Sequence, residues 1–340
     1  MKLDAIIGNP PYQLIDSGNA ASDAGAPIYQ KFVDVAKSMN PQYISMIMPS
    51  KWMVGGRSEL STFLESMKND KHLSYLKDYR NDRYIFPTAH NDGGICYFRW
   101  DMSKHNGKVD YTYVTINGEE YNHEMTLRNK FSPYIIRDMR MLPILEKIFT
   151  NRTIREEDSF ASIVSRTRPF GIRKDVFNSP ENYVDSNLQE EYFDGALKIY
   201  GVKGYKGGAK RTVGYVNSHN ISDKYLAVKR YKIFFTTTYS SDAVVPPDLI
   251  KAYPDDICTE TFLLIGPFNT ENEMENCASY MCTDFFRFLL FLGHGTMQVN
   301  KSVFNLIPMQ DFNIKITDEE LFKKYSFDDN EIGFIRKLIK

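Results

Sequence analysis

The sequence has few cysteines and no long hydrophobic run. Its 340 residues include four cysteines, Cys96, Cys258, Cys277 and Cys282, which do not suggest a disulfide framework. Cys277 and Cys282 lack the C-x-x-C spacing of a zinc site, and no histidine pair lies nearby at ligand spacing. No apolar run reaches the ~18–20 residues that cross a bilayer, and the N-terminus lacks a secretory pattern. These absences predict a reduced, cytoplasmic protein with no metal and no membrane contact.

The chain also carries almost no net charge, with 42 basic and 43 acidic residues. The basic residues are nevertheless concentrated between positions 195 and 235, where Asp223 is the only acidic residue. The basic residues of this region are Lys198, Lys203, Lys206, Lys210, Arg211, Lys224, Lys229, Arg230 and Lys232. Such a region attracts phosphate backbones, and its alternative interpretation is a solvated face whose counter-charges lie elsewhere in the fold.

Short apolar strands alternate with amphipathic helices in the first part of the chain. The predicted strands are Leu3–Gly8, Tyr43–Met48, Leu73–Tyr79, Gly94–Trp100 and one or two within Val109–Glu120. The predicted helices are Pro27–Met39, with Ile28, Phe32, Val35 and Met39 at helical spacing, and Ser58–Lys68. The alternation predicts an α/β fold with a buried first strand and a mostly parallel, doubly wound sheet. Ligands of such sheets bind at the carboxyl ends of the strands.

The second part of the chain has a different composition. Ile135–Phe149 is a predicted helix between domains, and from Asn151 onward aromatic residues, glycines and lysines mix. The predicted elements are strands at Val213–Val216, Ile233–Thr238 and Thr261–Ile265, a helix from Asn269 or Thr270 to about Leu292, and two short C-terminal helices. Thr317 and Glu320 form a capping box at the first of these short helices.

The first predicted strand ends in Asn9-Pro10-Pro11-Tyr12. Asn9 offers a side-chain carbonyl, and Pro10, which has no N–H, offers a backbone carbonyl in a rigid segment. Tyr12 offers a flat face for stacking. Two acceptors beside a stacking plane suit an amino group on a planar ring, because two hydrogen bonds from that group would free its lone pair for attack.

This motif resembles the catalytic motif of amino methyltransferases that use S-adenosylmethionine, which act on adenine N6 in DNA, on protein glutamine or on some RNAs. Ile85-Phe86-Pro87, followed by Gly93–Trp100, resembles the later motif in which a loop aromatic packs against a flipped adenine. Ile47–Trp52 resembles the strand end that borders the site. The region after about Ile135 resembles the target-recognition part of large type II enzymes that combine restriction and modification.

The resemblance implies a site built on the catalytic residues Asn9, Pro10, Pro11 and Tyr12. Such enzymes flip an adenine out of double-stranded DNA. The Asn9 side chain and the Pro10 carbonyl would accept the two N6 hydrogens, Tyr12 would stack on the base, and Phe86 would support it from the edge or the other face. N6 would then attack the methyl group of S-adenosylmethionine, so positioning and desolvation would supply most of the acceleration.

The resemblance also implies a DNA-binding surface in the basic region. The expected phosphate-binding residues are Lys203, Lys206, Lys210, Arg211, Lys229 and Arg230. The first four lie in the glycine-rich segment 201–211, where Gly201, Gly204, Gly207 and Gly208 allow close backbone approach.

The resemblance divides the chain into four parts. Residues 1–130 would be the C-terminal part of a methyltransferase catalytic domain, with a partial Rossmann-like sheet. Residues 131–150 would be a linking helix, 151–312 an α+β target-recognition domain for DNA, and 313–340 the C-terminal helices.

The glycine-rich loop that binds S-adenosylmethionine in this family, often F-x-G-x-G, is not found upstream of the motif, where only eight residues precede Asn9. Phe291–Thr296 (FLGHGT) resembles this loop in a permuted order, with Asp311 at the distance of a ribose ligand. We interpret it as a decoy, because Phe285–Leu292 has a helical pattern and too few residues follow to build the remaining strands.

Two functions therefore stay open. The chain is either part of a DNA adenine-N6 methyltransferase, whose cofactor-binding half an upstream polypeptide supplies and which a nuclease could accompany, or a catalytically inactive DNA-recognition fragment or specificity-like subunit. Protein-glutamine methylation is a weaker alternative, because a peptide substrate needs no long basic second domain.

Overall fold

The computed structural model describes residues 3–14, 25–55, 58–88, 91, 93–149, 155–180, 187–204, 208–218, 221–240, 243, 249–294 and 297–339. The chain divides into two compact units, Met1–Thr153 and Ile154–Lys340. Within the described ranges, every helix is too short or too polar to cross a lipid bilayer.

The first unit is built on a mixed sheet of six strands. The strands of the unit are β1 (Ala5–Gly8), β2 (Gln13–Leu14), β3 (Ala26–Pro27), β4 (Tyr43–Pro49), β5 (Leu73–Tyr79), β6 (Ile95–Asp101), β7 (Val109–Val114) and β8 (Glu120–Met125). The sheet has the order β1-β4-β6-β5-β7-β8, and β2 and β3 form a separate hairpin. The helices are α1 (Tyr29–Ser38), α2 (Ser58–Asn69) and α3 (Leu142–Phe149).

The α/β prediction is confirmed, but the prediction of a mostly parallel sheet is wrong. β1 pairs with β4 and β5 pairs with β7 in parallel, whereas β6 runs antiparallel between β4 and β5. The reason is the connection: α1 and α2 carry the chain back across the sheet, while the described residues between β5 and β6 form no α-helix and return the chain as an antiparallel neighbour.

The first strand is not buried as its apolar sequence predicts. β1 is the edge strand of the sheet, with Ala5 and Ile7 exposed and Ile6 half-buried against the core. The predicted helix over Pro27–Met39 is confirmed as α1, yet it buries Tyr29, Val33 and Ala36. Phe32 and Val35 of α1, and Met39 directly after it, are exposed.

The predicted helix over Ile135–Phe149 is helical over a shorter range. Residues 139–141 form a 3-10 turn, which the Asp138 side chain caps by accepting a hydrogen bond from the Arg140 N–H, and α3 begins only at Leu142. The preceding Arg137 is buried and takes part in polar contacts described below.

The second unit contains two three-stranded sheets and a helical C-terminal part. Its strands are β9 (Leu197–Lys203), β10 (Lys210–Val216), β11 (Tyr231–Thr236), β12 (Ile250–Ala252), β13 (Asp256–Cys258) and β14 (Phe262–Phe268). They form sheets of order β10-β9-β13 and β12-β11-β14. Its helices are α4 (Asp175–Asn178), α5 (Glu271–Met281), α6 (Asp284–Gly293), α7 (Asp318–Lys324) and α8 (Asp329–Ile339).

The single long helix predicted from Asn269 or Thr270 is two helices. Thr270 caps α5 with a full capping box, and Thr283 caps a second helix, α6, by accepting from the Phe286 N–H. A new N-cap inside the apolar run therefore interrupts the helix that periodicity alone suggests. The predicted capping box of Thr317 and Glu320 is present at α7.

Candidate active site

Three strand ends meet at one edge of the sheet in the first unit. β1 and β4 are parallel, and β5 runs in the same direction because both β4 and β5 are antiparallel to β6. The segments that follow these strands, 9–12 after β1, 50–54 after β4 and 80–88 after β5, therefore lie at the same edge. This is the edge at which α/β sheets bind ligands.

The Asn-Pro-Pro-Tyr motif lies directly after β1. Asn9 and Pro11 are exposed, Pro10 is buried and Tyr12 is half-buried. The Tyr12 carbonyl accepts a hydrogen bond from the Ile28 N–H at 3.2 Å, which fixes the segment beside the start of α1. The motif thus offers the Asn9 side chain to solvent from an anchored backbone.

Tyr12 places its ring against the core with its hydroxyl inward. This hydroxyl is buried and has no hydrogen-bond partner in the part of the chain that the structure describes. Burial, with smaller contributions from the nearby Cys96 and Asp82, raises the pKa of Tyr12 to about 12. The side chain is therefore neutral at physiological pH and suited to stacking rather than to proton transfer.

Phe86 belongs to a loop that Asp82 holds in place. The Asp82 carbonyl accepts hydrogen bonds from the Ile85 and Phe86 N–H groups at 2.9 and 2.8 Å. The Asp82 carboxylate accepts from both the backbone and the side chain of Asn91 across the loop. The loop of the half-buried Phe86 follows β5 and therefore lies at the same strand edge as the motif.

A buried ion pair between Arg137 and Asp78 lies near this edge of the sheet. The Arg137 guanidinium donates two hydrogen bonds to Asp78 at 2.6 and 2.7 Å and one to the Gly93 carbonyl at 2.8 Å. Asp78 also accepts from the hydroxyls of Ser50, at 2.7 Å, and Tyr111, at 3.0 Å. Burial alone would lower the pKa of Arg137, but Asp78 outweighs it and raises that pKa, so the guanidinium stays charged.

Sequence reasoning missed this ion pair. Arg137 and Asp78 are 59 positions apart, and no short motif signals their contact. The one available signal is an aspartate inside the apolar strand Leu73–Tyr79, since a charged residue in a buried strand needs a partner.

Cys96 is not a nucleophile of this site. Its Sγ accepts a hydrogen bond from the Trp52 Nε1–H at 3.4 Å. Burial, together with Asp78, raises the pKa of Cys96 to about 12, so the thiol stays protonated. Both Cys96 and Trp52 act as packing residues beneath the motif.

In the second unit, the structure separates the predicted DNA-binding residues. Lys203 and Lys210 lie directly opposite each other in the β9–β10 pair, and Arg211 is next to them; all three are exposed. Lys206 and Gly207 lie outside the described residues. Gly204 adopts a positive φ of 95°, whereas Gly201 packs against the Phe177 ring and is not open to a phosphate.

Lys229 and Arg230 are exposed near the other end of β9. The Lys229 Nζ forms an ion pair with Asp255 at 2.6 Å, and the Asp255 carbonyl accepts from the Lys198 N–H at the start of β9. Five residues of extended strand separate Lys198 from Lys203, a distance of about 17 Å. The five predicted residues that the structure describes therefore do not form one cluster.

Lys232 is not part of any basic surface. It is fully buried, and its Nζ, with three hydrogens to donate, lies within hydrogen-bond distance of four backbone carbonyls, those of Ala227, Val228, Arg230 and Tyr253, at 2.7–3.1 Å. Counting it with the basic residues that attract phosphate was wrong, because sequence position does not show that the strand Tyr231–Thr236 turns this side chain inward.

The glycine-containing segment near residue 293 does not follow a strand. Phe291 and Leu292 belong to α6, His294 follows its last residue, and Gly295 and Thr296 lie outside the described residues. A Cβ at Gly293 would come within 2.3 Å of the Val303 carbonyl oxygen, so this glycine serves helix packing. The interpretation of the preceding residues as helical is confirmed.

Comparison with known proteins finds a family similarity in the part of the chain that holds the motif. Residues 1–86 match the model of the Eco57I restriction-modification methylase family. A stretch of 131 residues is 31% identical to an uncharacterized adenine-specific methylase of Mycoplasma pneumoniae, covering 38% of this chain and 31% of that protein. The chain thus matches about a third of the length of this curated relative. The resemblance to adenine-specific methylases of the restriction-modification type is confirmed for the N-terminal part of the chain.

Two solved structures align along most of the chain at low identity. The type IIL restriction-modification enzyme MmeI, in complex with DNA, aligns with 99% of this chain and 55% of its own, with 11% identity and a TM-score of 0.48. The type IIG restriction endonuclease BpuSI aligns with 98% of this chain and 48% of its own, with 12% identity and a TM-score of 0.35.

Proposed function

We propose that this chain is the base-binding and DNA-recognition part of a site-specific DNA adenine-N6 methyltransferase of a restriction-modification system. The observation that carries the proposal is the position of Asn9-Pro10-Pro11-Tyr12 at the carboxyl end of β1, at the same strand edge as the loop of Phe86. The family match covers both segments.

In this proposal, the motif binds a flipped adenine. The exposed Asn9 side-chain oxygen and the Pro10 carbonyl accept the two hydrogens of N6, which keeps the lone pair of the nitrogen directed away from the ring. The neutral Tyr12 ring stacks on the base, and Phe86 limits its movement from the side. No residue needs to act as a charged base to position the amine, in agreement with the raised pKa of Tyr12.

The methyl donor of this reaction would be S-adenosylmethionine, but the described residues do not fit it. The glycine-containing segment near Gly293 lies at the end of a helix rather than after a strand. The backbone of Val303 packs directly against Gly293. We therefore assign cofactor binding to an additional α/β unit and derive no step from this chain for the donor.

The proposed DNA contacts lie in the second unit, and we divide them into a stronger and a weaker group. Lys203, Lys210 and Arg211 are exposed together at one end of the β9–β10 pair, and we propose that they bind phosphates together with Lys206. Lys229 and Arg230 form a separate, weaker contact, since Asp255 already neutralises Lys229.

Residues 1–130 act as the catalytic part, 131–150 as the link, 151–312 as the target-recognition domain and 313–340 as the C-terminal helices.

The test is methylation in a host that lacks adenine methylation. The gene is expressed together with its chromosomal neighbours, and N6-methyladenine is mapped by single-molecule sequencing. We expect methylation at one sequence motif, its loss in Asn9→Ala, and its retention in Asn106→Ala, which alters an exposed asparagine in the turn before β7. Equal methylation in both variants would overturn the assignment of Asn9.

A second candidate is a DNA-recognition fragment without catalysis, which the misfit to the cofactor favours. It predicts sequence-specific DNA binding with no methylated adenine in the wild type. Methyl groups on protein glutamine rather than on DNA would instead support the weaker alternative of a protein substrate. The methylation mapping described above separates the first two, because only the first predicts N6-methyladenine when the chain is expressed with its chromosomal neighbours. Titration of the isolated chain with S-adenosylmethionine tests a narrower point, since no binding at millimolar concentration excludes catalysis by this chain alone.

A further inference from the structure

Leu226, in the second unit, combines an exposed side chain with a strained backbone. Its side chain is 70% exposed, and its φ of +52° lies in the left-handed region. In the part of the chain that the structure describes, the other residues with a positive φ are glycines or carry polar side chains. Glycine and asparagine adopt this conformation at the lowest cost, whereas a bulky apolar residue rarely does. Leucine is therefore a costly residue at this position.

Two charged side chains fix the backbone around Leu226, in residues 223–230, which we name the strained loop. The Asp223 carbonyl accepts a hydrogen bond from the Leu226 N–H at 3.0 Å, and its carboxylate accepts one from the Ala227 N–H at 2.7 Å. The Nζ of the buried Lys232 lies 2.9 Å from the Ala227 carbonyl oxygen. Ala227 itself is fully buried. The loop therefore has one conformation that its surroundings impose.

The residues beside Leu226 turn inward, whereas Leu226 turns outward. Ala227 belongs to the hydrophobic core of the second unit, and Tyr225 and Val228 pack against that core. A single exposed leucine is ordinary on a protein surface. Strained backbone conformations that the surrounding structure holds in place, however, cluster at functional sites. The strained loop thus presents one apolar side chain to solvent from a fixed backbone.

The exposed charges of the strained loop are positive. They belong to Lys224, Lys229 and Arg230. Asp223, the only acidic residue between positions 195 and 235, is half-buried and accepts from backbone N–H groups of the loop. Asp255 pairs with Lys229, so Lys224 and Arg230 carry the remaining positive charge. These charges favour a polyanion as the partner of the loop over an apolar protein surface.

We propose that Leu226 inserts between two base pairs of the duplex DNA that the second unit binds, and that Lys224 and Arg230 bind phosphates beside the insertion. Leucine is one of the apolar side chains that act as such wedges, which partly unstack a base step and bend the duplex. Because the strained loop already has a fixed conformation, no ordering of the loop opposes the insertion. The binding of DNA rests on the proposed function, and the insertion goes beyond it.

One duplex can reach both the strained loop and the basic end of the β9–β10 pair. The Val228 carbonyl accepts from the Asp255 N–H at 2.8 Å, and the Asp255 carbonyl accepts from the Lys198 N–H at 3.0 Å. These bonds place the loop at the start of β9. Lys203 lies at the other end of the strand, about 17 Å away, which corresponds to about five base-pair steps of 3.4 Å.

The test measures base stacking and bending in a duplex bound by the full chain. The duplex is selected from a random library by binding to the wild type, and 2-aminopurine is then placed at each position of the selected site in turn. We expect the fluorescence of 2-aminopurine to rise several-fold at one step and energy transfer between end labels to report a bend. The signal of a flipped adenine is identified separately, because it alone should change in Asn9→Ala.

Leu226→Ala should abolish both the unstacking and the bend and weaken binding about tenfold. The slope of log K against log salt should stay the same, because leucine neutralises no phosphate. Leu226→Met should retain the distortion, since methionine also acts as a wedge. The matched control is Ile314→Ala, which removes another apolar side chain of the second unit, 61% exposed, and should change none of these values.

The stability of the free protein separates this role from a structural one. Leu226→Asn introduces a residue that tolerates the left-handed conformation, so it should raise the Tm while it abolishes the unstacking. A leucine that serves the fold would instead give a lower Tm when it is replaced, and that result would contradict the proposal.

The outcomes also separate the insertion from the proposed function. A bound duplex that stays stacked and straight, or one that Leu226→Ala distorts as the wild type does, would overturn the insertion and leave DNA recognition standing. A homodimer that Leu226→Ala dissolves, with the DNA distortion unchanged, would assign Leu226 to a protein contact. No DNA binding by the wild type would overturn both proposals. Unstacking that depends on Leu226, without methylation in cells, would support the insertion and contradict the catalytic part of the proposed function.

Discussion

At the scale of single residues, Arg137 is the side chain on which the buried polar contacts of the first unit depend. Arg137→Met would leave the Asp78 carboxyl buried beside the Ser50 and Tyr111 hydroxyls without its guanidinium partner. Breaking a buried ion pair in this way costs about 3–5 kcal/mol of unfolding free energy. Urea denaturation followed by fluorescence measures this loss.

The control for this prediction is an exposed pair. Arg128 lies 3.4 Å from Glu65 with both side chains more than half exposed, and such pairs contribute about 0–1 kcal/mol. Arg128→Met should therefore leave the denaturation midpoint nearly unchanged. Similar losses in Arg137→Met and Arg128→Met would contradict the role that we give to the buried pair.

Lys232 provides a pH-dependent prediction. Burial lowers its pKa from 10.5 to about 8 in the folded protein. Below pH 8 both the folded and the unfolded chain hold the proton, so the whole cost of burying the charge is present. Between pH 8 and 10.5 the unfolded chain holds more protons, so stability must rise with pH over this range.

The measurement compares the wild type with Lys232→Met, because all other titrating groups are common to both. From pH 8 to pH 10.5, the unfolding free energy of the wild type should increase relative to the variant by about 3 kcal/mol, at about 1.4 kcal/mol for each unit of pKa. A difference that stays constant with pH would mean that the four carbonyl acceptors hold Lys232 charged throughout.

At the scale of elements, Gly94 fixes the return of the chain into β6. It has a φ of +89°, and a Cβ there would come within 2.1 Å of the Tyr79 carbonyl oxygen. Its own carbonyl accepts from the Ser50 N–H at 3.0 Å, which joins the start of β6 to the end of β4. Gly94→Ala should therefore destabilise the first unit by more than about 2 kcal/mol and displace the candidate site.

At a second glycine, Gly333, replacement by alanine is expected to have the opposite effect on stability. Gly333 lies inside α8, and a Cβ there would meet nothing within 4 Å. Gly333→Ala should stabilise the protein by about 0.5–1 kcal/mol, because alanine loses less backbone entropy in a helix. Thermal unfolding of Gly94→Ala and Gly333→Ala measures both effects as shifts of the Tm. We expect a lower Tm for the first variant and a higher Tm for the second, and a shift in the same direction for both would contradict this account.

Apolar runs and turn residues predicted most of the elements, and for a physical reason. A run such as Leu73–Tyr79 is a strand wherever it lies in the sheet, so local sequence is sufficient to find it. The direction of β6 and the edge position of β1 depend on which strands are neighbours, and no local pattern contains that information. The same limit explains why Phe32, Val35 and Met39 have helical spacing yet are exposed.

The candidate site divides in the same way. Asn9–Tyr12 and Phe86 could be proposed from the sequence because they belong to short motifs, and the structure places both on segments that follow strands. The contact of Asp78 with Arg137 could not, because it joins distant segments. Lys203 and Lys210 were expected to act together, and the antiparallel register of β9 and β10 puts them opposite each other. Lys229 instead pairs with Asp255, next to the start of β9.

At the scale of the whole molecule, a chain of nearly zero net charge carries its exposed positive charge in separate places. Like charges directly opposite each other in a strand pair are destabilising. Lys203 and Lys210 are such a pair, and Arg211 adds to the same end of the sheet. An arrangement that costs stability in the free protein is explained if a polyanion neutralises it, and the proposed DNA phosphates would do so.

This argument predicts a specific salt dependence of DNA binding. Each phosphate contact with duplex DNA contributes about 0.9 to the slope of log K against log salt. Lys203→Gln with Lys210→Gln should therefore reduce that slope by about 2 and weaken binding to all sequences alike, as measured by fluorescence anisotropy from 50 to 200 mM salt. Lys229→Gln, whose lysine Asp255 already neutralises, should change the slope far less. If Lys229→Gln reduced the slope as much as the double variant does, the surface near Asp255 would be the DNA interface and the hairpin of β9 and β10 would not.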